Sequence, residues 1–362
     1  MPTFKILDEG GQAPIGYKWI PCHMIFDVKM DFTCKARFVA GGHVTDPPTS
    51  ITYSSVVSRD SVQIAFLIAA LNDLDILGAD VGNAYLNAET KEKVYTTAGK
   101  EFGKFEGRLV IIVRALYGLK SSGAAWRAHL AQTLYDLEFK STLADPDVWF
   151  KPSTKPDGFQ YYEYVLIYVD DILVLSHQPN ITMKALGELY RLKEGSVGIP
   201  ERYLGATVKQ WHFPEDATKV RWGLCSNQYV TEAIKNVELE LQECGQRLPT
   251  KTSTPLSSGY RPELDVSPLL NDEETNYYQN LIGILRWAVE LGRIDIHVEV
   301  AMMSQYLMQP RRGHILEVYH IFAYLKSHKR STMVFDDAWV DIDESKFQEY
   351  DWQEFYHDAK EA

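Results

Sequence analysis

Two adjacent carboxylates, Asp170 and Asp171, close the string Tyr168-Val169-Asp170-Asp171. Apolar runs flank it, Tyr164-Val165-Leu166-Ile167 before and Ile172-Leu173-Val174-Leu175 after. Two runs rich in β-branched and aromatic residues, parted by a two-residue polar break, predict a β-hairpin with the aspartates at its tip. Adjacent like charges repel, and the cost rises as water is excluded. Aspartate is also a good turn residue, which explains one Asp better than two beside flanks this apolar. The chemical reading is that divalent cations neutralise the pair. Mg²⁺ prefers carboxylate oxygens and often binds through one or two of them together with substrate phosphates. A third carboxylate opens Asp80-Val81-Gly82-Asn83-Ala84-Tyr85-Leu86-Asn87. Alone, Asp80 reads as a strand-end turn residue or helix cap, and it gains chemical meaning only by joining Asp170 and Asp171. No Ser-His-Asp or Cys-His arrangement stands out.

The elements that must position these groups follow from apolar spacing. Cys34-Lys35-Ala36-Arg37-Phe38-Val39-Ala40 alternates as a strand, with Cys34, Ala36 and Phe38 expected inward and Lys35 and Arg37 on the opposite face. Those two cations are either an ordinary solvated face or a pair aimed at phosphates. Ser58 or Asp60 can cap a helix whose core face is Ile64, Leu67, Ile68, Leu71 and Leu74. Leu109 to Val113 predicts a buried strand and Tyr117 to Gly123 a glycine-punctuated turn. A helix with Trp126, Leu130, Leu134 and Leu137 on one face follows, broken by Asp145-Pro146-Asp147. Val148-Trp149-Phe150 is a short strand before the turn-rich 151–158. Beyond the hairpin, Met183 to Leu192 suggests a helix, Tyr203 to Val208 a strand with a partner near 221–224, and Ser226 the start of another helix. Pro249 to Pro262 is a turn-rich connector and a candidate domain boundary. Three helical patterns come after it, through Tyr278, Ile282, Leu285 and Val289, over about 297–308, and through Ile315, Val318, Phe322 and Leu325. Residues 1–16 read as loose.

The 362 residues suffice for two or three domains, and 45% apolar content with 12% aromatic residues supports real cores. No apolar run approaches the length of a membrane span, and the N-terminus lacks a secretory apolar segment, so no membrane partner is expected. Four cysteines without C-x-x-C spacing argue against a zinc knuckle or disulfide framework and for a reduced, intracellular setting. A net charge of −12 is awkward for nucleic-acid binding, which needs Lys and Arg on phosphates. Its distribution helps, because residues 336–362 hold ten acidic and two basic side chains and leave −4 on the remainder. An acidic tail beside a near-neutral body is compatible with one local basic groove.

Taken together and in order, the motifs resemble the reverse transcriptases of copia-type LTR retrotransposons, from about Gly16 to Asp336. Lys18-Trp19 and Lys35-Ala36-Arg37-Phe38-Val39-Ala40 are similar to the family's fingers, and Tyr53-Ser54-Ser55-Val56-Val57 to the segment that follows. Asp80 to Asn87 resembles its first catalytic motif. Leu116-Tyr117-Gly118-Leu119-Lys120 with Trp126 downstream is a characteristic string, and Tyr168 to Asp171 is its signature hairpin. Tyr203-Leu204-Gly205 resembles its primer-contacting turn. Ser253-Thr254-Pro255, Tyr278 with Ile282-Gly283, Arg293 to Ile296, and Tyr324-Leu325-Lys326 follow its C-terminal pattern. There are departures. Ser121 and Ala124 stand where the family commonly has Gln and, after small residues, Arg, and Gly41-Gly42 where a lysine is expected. The sequence also stops before the RNase H domain that usually follows, which suggests a fragment of a larger polyprotein or a decayed insertion.

The resemblance implies an α+β right-hand polymerase with an antiparallel-sheet palm, fingers, and a helical thumb and connection region. Residues 1–212 would be fingers and palm, 213–335 thumb- or connection-like and largely helical after 256, and 336–362 an acidic tail. Asp80 and Asp170 would hold two Mg²⁺ ions, with Mn²⁺ as a substitute and Asp171 alongside, their carboxylates within about 5 Å. Lys35 and Arg37 would contact the incoming triphosphate, Lys120 would contribute to substrate binding, and amides of Gly82, Asn83 and Ala84 would meet phosphates. Tyr85 would sit under the sugar and clash with a 2′-hydroxyl, or else be a core aromatic. Implied partners are an RNA or DNA template with its primer and deoxynucleoside triphosphates, in a cytoplasmic particle or the nucleus. The oligomeric state stays open. A remnant that at most binds nucleic acid is the alternative. Another two-metal enzyme on a similar palm is a third, against which the fingers-like and C-terminal matches argue.

Overall fold

The fold, given by a computed structural model, describes residues 2–28, 34–45, 48, 51–213, 216–250 and 252–337. Most of the acidic tail, from 338 on, lies outside the described residues. In chain order, β1 (Phe4–Ile6), β2 (Lys18–Trp19), β3 (Cys22–Val28) and β4 (Cys34–Ala40) precede α1 (Arg59–Leu71). Next come β5 (Asp75–Asp80), β6 (Val94–Thr97), β7 (Leu109–Ile112) and α2 (Ser122–Asp136). Then follow β8 (Lys140–Ser141), β9 (Val148–Thr154), β10 (Gln160–Tyr168), β11 (Asp171–Ser176) and α3 (Pro179–Leu189). The last part comprises β12 (Arg202–Tyr203), β13 (Ala206–Phe213), β14 (Asp216–Cys225), α4 (Asn227–Glu243), α5 (Asp272–Glu290), α6 (His297–Ser304), α7 (Arg312–Ser327) and β15 (Thr332–Phe335). The class is α+β, with antiparallel sheets and, among the described residues, one parallel pairing, β2 with β6.

The sheet that carries the aspartates has the order β5-β11-β10-β9-β8. Its two central strands read as unbroken apolar runs because both faces are covered. Leu166, Leu173, Leu175 and Ile76 pack towards α1 and the β12-β13-β14-β15 sheet. Val165, Ile167, Ile172 and Val174 pack towards α2 and α3, where Trp126, Leu130, Leu134, Met183 and Leu186 are buried. Each such fully buried aliphatic side chain contributes about 1.5–3 kcal/mol of burial free energy. Any shift of the hairpin relative to its neighbours would expose one of these two sets.

Helix α1 corrects the expected core face. Ser58 caps it, its hydroxyl accepting from the Ser61 amide at 3.1 Å. The buried stripe is Val62, Ala65, Phe66, Ala69 and Ala70, while Ile64 and Leu71 are each 57% exposed. The helix is apolar around most of its circumference, so spacing alone admits two faces. The stripe of small residues wins because it lets α1 lie close against β14 and β15.

Other boundaries also move. Residues 4–6 are ordered as β1 against β7. Strand β9 runs through Pro152 into the stretch expected to be turn. Helix α3 starts earlier, with Pro179 in its first turn. The single strand expected over 203–208 is a hairpin, because Leu204 and Gly205 both take positive φ (47° and 90°) between β12 and β13.

Helices α4–α7 share their own core, built on Val237, Leu241, Tyr278, Ile282, Leu285, Met303, Val318 and Phe322. This core starts with α4, upstream of the 249–262 connector. Asn271 begins α5 with a reciprocal cap, accepting from the Glu274 amide at 2.9 Å while Glu274 accepts from the Asn271 amide at 3.2 Å. After α7 the chain returns to the sheet as β15, where Thr332 pairs with Cys225.

Candidate active site

Tyr168 pairs with Asp171 across the β10–β11 hairpin, so the two turn residues are Val169 and Asp170. The break thus falls one residue earlier than the Asp-Asp pair suggests, and Asp171 begins β11. Val169 takes φ 59°, a left-handed conformation that a β-branched residue adopts only under strain. A positive φ at the first turn position suits the twist of a two-residue hairpin, and glycine would supply it freely. Two hydrogen bonds hold the strained turn. The Trp126 indole N–H donates to the Val169 carbonyl at 2.7 Å. The Val81 amide donates to the Asp170 carbonyl at 2.8 Å. Both donors come from elements packed in the same core.

Asp80 ends β5 and stands directly opposite Asp171 in the ladder. Directly paired residues project from the same face of a sheet, so these two carboxylates face one side. Lys193, which the sequence does not single out, completes the group. Its ammonium contacts the Asp80 carboxylate and lies 3.8 Å from an Asp170 oxygen, so one cation spans both. The lysine is fixed through its backbone. Its amide donates to the Asp80 carbonyl at 2.9 Å, and the Gly82 amide donates to the Arg191 carbonyl at 2.8 Å. The Asp80 amide donates to the Ser196 hydroxyl at 3.2 Å. Residues 191–198 therefore run along the outer edge of β5, bridging at Val81–Leu192 and Gly78–Gly198. A Cβ on Gly82 would come 3.0 Å from the Arg191 carbonyl, which explains a glycine there.

Burial raises the Asp171 carboxyl to about 6, Asp170 and Asp80 push it the same way, and Lys193 opposes them. Asp80 Oδ1 is buried with no hydrogen-bond partner. An unmet buried acceptor costs about 1–3 kcal/mol, more when charged. Hard carboxylate oxygens, one unmet, are donors that suit Mg²⁺. Among the described residues, no three His, Cys, Asp or Glu side chains already converge as a metal cage. The donor set instead fits a cation that completes its shell with water and substrate phosphates.

The remaining expected residues surround this point. On β4, Lys35 and Arg37 are half-buried while Cys34 and Ala36 are exposed, the reverse of the expected faces at that end. The cause is that β3 and β4 form a two-stranded ribbon which, among the described residues, joins a core only at its inner end, through Cys22, Phe38 and Ala40. Further in, Phe38 does pack, edge-on to Phe4 and Phe102 at 5.8 and 5.7 Å. Asn83 is exposed with φ 52° and heads a short 3-10 turn, Ala84–Asn87. Ala84 is buried, and the half-buried Tyr85 ring lies 4.8 Å from the Tyr117 ring. The Gly82 amide is already engaged by Arg191. The Lys120 ammonium donates to the Thr45 carbonyl at 2.5 Å. Ser121 is buried, with its amide and hydroxyl donating to Glu92 at 2.9 and 2.6 Å.

Residues 2–251 match the family described as reverse transcriptase (RNA-dependent DNA polymerase). A retrovirus-related Pol polyprotein from transposon TNT 1-94 of Nicotiana tabacum is 24% identical over 90% of this chain, which spans 24% of that protein. The Ty1-NL2 Gag-Pol polyprotein of Saccharomyces cerevisiae is 25% identical over 83% of this chain, which spans 17% of it. A putative Ty5-1 transposon protein of the same yeast is 27% identical over 68% of this chain, which spans 74% of it. Among solved structures, a foamy viral protease-reverse transcriptase in complex with double-stranded DNA aligns with TM-score 0.46 and 15% identity, over 90% of this chain and 45% of that one. No helix among the described residues is long and apolar enough to cross a membrane.

Proposed function

From the premise that this chain belongs to the reverse transcriptase (RNA-dependent DNA polymerase) family, of the copia type, we propose that it performs template-directed nucleotidyl transfer onto a primer. The observation that carries the reading is that Asp80 stands opposite Asp171 and shares Lys193 with Asp170, with a buried oxygen of Asp80 left unmet.

In this reading Asp80 and Asp170 hold the divalent ions and Asp171 supports them from the paired position. Mg²⁺, when bound, supplies positive charge at the primer 3′-hydroxyl and at the departing pyrophosphate. Phosphoryl transfer passes through a loose, charge-rich transition state, so the protein's task is positioning. Lys35 and Arg37 draw the triphosphate of the incoming deoxynucleotide, the Asn83–Ala84 backbone lies beside it, and Tyr85 sits under the sugar. The Leu204-Gly205 turn faces the primer. An RNA or DNA template is gripped through its backbone, as copying any sequence requires. Residues 1–212 serve as fingers and palm and 213–335 as thumb and connection.

One observation favours an inactive remnant instead: Ser121 replaces a longer polar group and spends both donors on Glu92. Primer extension on an RNA template with Mg²⁺ and deoxynucleotides separates the two. The parent is expected to extend, and Asp170→Asn to lose extension by at least on the order of a thousandfold with its circular dichroism unchanged. A folded parent that does not extend establishes the remnant.

A further inference from the structure

The polymerase reading gives Tyr85 a steric task, and a steric gate discriminates only if it holds still. Tyr85 is poorly placed to do so alone. It lies in the four-residue turn that follows the left-handed Asn83, and its ring is half-buried. Its hydroxyl points towards Gly123 in the first turn of α2, where even an added Cβ would come no nearer than 3.9 Å. With glycine at that position, no side chain of residue 123 meets that end of the ring.

Support comes from one face. The Tyr117 ring lies 4.8 Å from that of Tyr85, inclined by 35°. Tyr117 is itself anchored to the fingers strand, since its carbonyl accepts from the Ala40 amide at 2.7 Å. The two segments interlock through glycines. A Cβ on Gly118 would lie 2.0 Å from the Ala40 carbonyl oxygen, and one on Gly42 would lie 2.1 Å from that of Gly118. The adjoining turn is fixed by the Ser122 hydroxyl on the Leu116 carbonyl at 2.7 Å. The Arg37 guanidinium stands 5.9 Å from the Tyr117 ring centroid, a cation–π approach. Tyr117 thus connects the group expected at the triphosphate with the group expected under the sugar. Burial and the nearby Asp170 raise both phenols above their ordinary range, which places both at the catalytic hairpin.

We propose that Tyr117 is a specificity-determining positioning residue, whose ring holds Tyr85 in place and so sets how strictly a 2′-hydroxyl is excluded. The proposal rests on the polymerase reading and adds a second residue to its sugar discrimination. A tilted aromatic pair contributes enough to shift a ratio by roughly threefold to tenfold.

The test uses the full chain and measures kcat/KM for a deoxynucleotide and for the matching ribonucleotide. Parent, Tyr117→Phe, Tyr117→Leu and Tyr117→Ala are compared, each with its thermal unfolding recorded. Tyr117→Leu fills the space without an aromatic face, so the comparison survives if Tyr117→Ala does not fold. Tyr117→Phe should keep the parental ratio, and Tyr117→Leu and Tyr117→Ala should lower it by roughly threefold to tenfold, chiefly through a gain with the ribonucleotide. An unchanged ratio in folded, extending variants overturns the proposal, as does an equal loss with both nucleotides. A folded parent that extends the primer with neither nucleotide removes the polymerase reading and this proposal with it.

Discussion

Two groups of aspartates lie in neighbouring parts of this molecule, and the fold treats them in opposite ways. Asp145 and Asp147 flank a proline, and in sequence they look as conspicuous as Asp170 and Asp171. Asp147 is 1% exposed, yet its carboxylate is matched by the Arg127 guanidinium at 2.7 Å and by the Ser55 hydroxyl. Asp145 accepts from the Ser58 amide at 2.9 Å, the Ser61 hydroxyl at 2.7 Å and the Asp147 amide at 3.1 Å. Burial alone would raise Asp145, but these hydrogen bonds outweigh it and hold the carboxyl below the ordinary range. At the hairpin the balance is reversed. Asp80 keeps a buried oxygen unmet, and Asp171 is raised by burial and by its neighbours. The difference teaches that a count of acidic residues does not mark a cation site. What differs between the two groups is whether the fold supplies donors to their oxygens.

The comparison can be broken most directly by removing one member of the matched pair. Asp147→Ala leaves the Arg127 charge half-buried and uncompensated, and should cost about 3 kcal/mol in urea unfolding. A cost below about 1 kcal/mol would make this pair no more structural than a surface contact. Asp171→Asn should act in the other direction. In metal-free protein at pH 7 it removes a disfavoured charge and should stabilise by about 1–2 kcal/mol, after discounting for partial exposure. Destabilisation would show that the carboxylate is satisfied after all.

The pH dependences sharpen the contrast because their signs are opposite. With its carboxyl raised to about 6, Asp171 stays protonated in the folded chain at pH values where the unfolded chain has already ionised. Its contribution is therefore favourable at acid pH and is lost as pH rises from about 4 to 6. Asp145 is lowered, so its contribution is present above its ordinary range and is lost as pH falls through and below it. Unfolding midpoints of Asp171→Asn and Asp145→Asn, each measured against the parent from pH 3.5 to 7 in chelator, should approach it at the acid end and diverge from it in opposite directions towards pH 7, Asp171→Asn above the parent and Asp145→Asn below it. The smallest effect belongs to Lys193→Gln, a partly exposed ion pair expected to change stability by less than about 1 kcal/mol, more at low salt than at high.

How much of this was legible in the residues depended on whether a pattern had one solution. The Tyr164–Leu175 hairpin and the Trp126, Leu130 and Leu134 face of α2 each admitted one arrangement, and the fold follows it apart from the one-residue shift of the turn. Helix α1 admitted two faces, and the choice between Ile64 and Ala65 was made by how close a sheet on the other side could come. Lys193 carried no local signal, because its place beside Asp80 comes from backbone pairing between segments more than a hundred residues apart. Glu92 and Ser121 meet for the same kind of reason. The pairing of Tyr85 with Tyr117 was hidden as well, since each belongs to a separate motif.

The return of β15 has a mechanical consequence. The four-helix region leaves the sheet at Cys225 and rejoins it at Thr332, two residues that are ladder partners, with the Ser331 amide donating to Asn227 Oδ1 at 2.9 Å across the gap. Entry and exit therefore form a single narrow stem. Away from the stem, the Arg59 guanidinium stacks 3.3 Å from the Trp287 ring, close to the Gly205 turn, and pairs with Glu290, while Leu291 is buried in the core of the sheet. The strand ladder thus ties the two ends of the helical region to each other, while side-chain contacts alone tie α5 to α1, so the second attachment can be weakened by substitution at Arg59 without unpairing a strand.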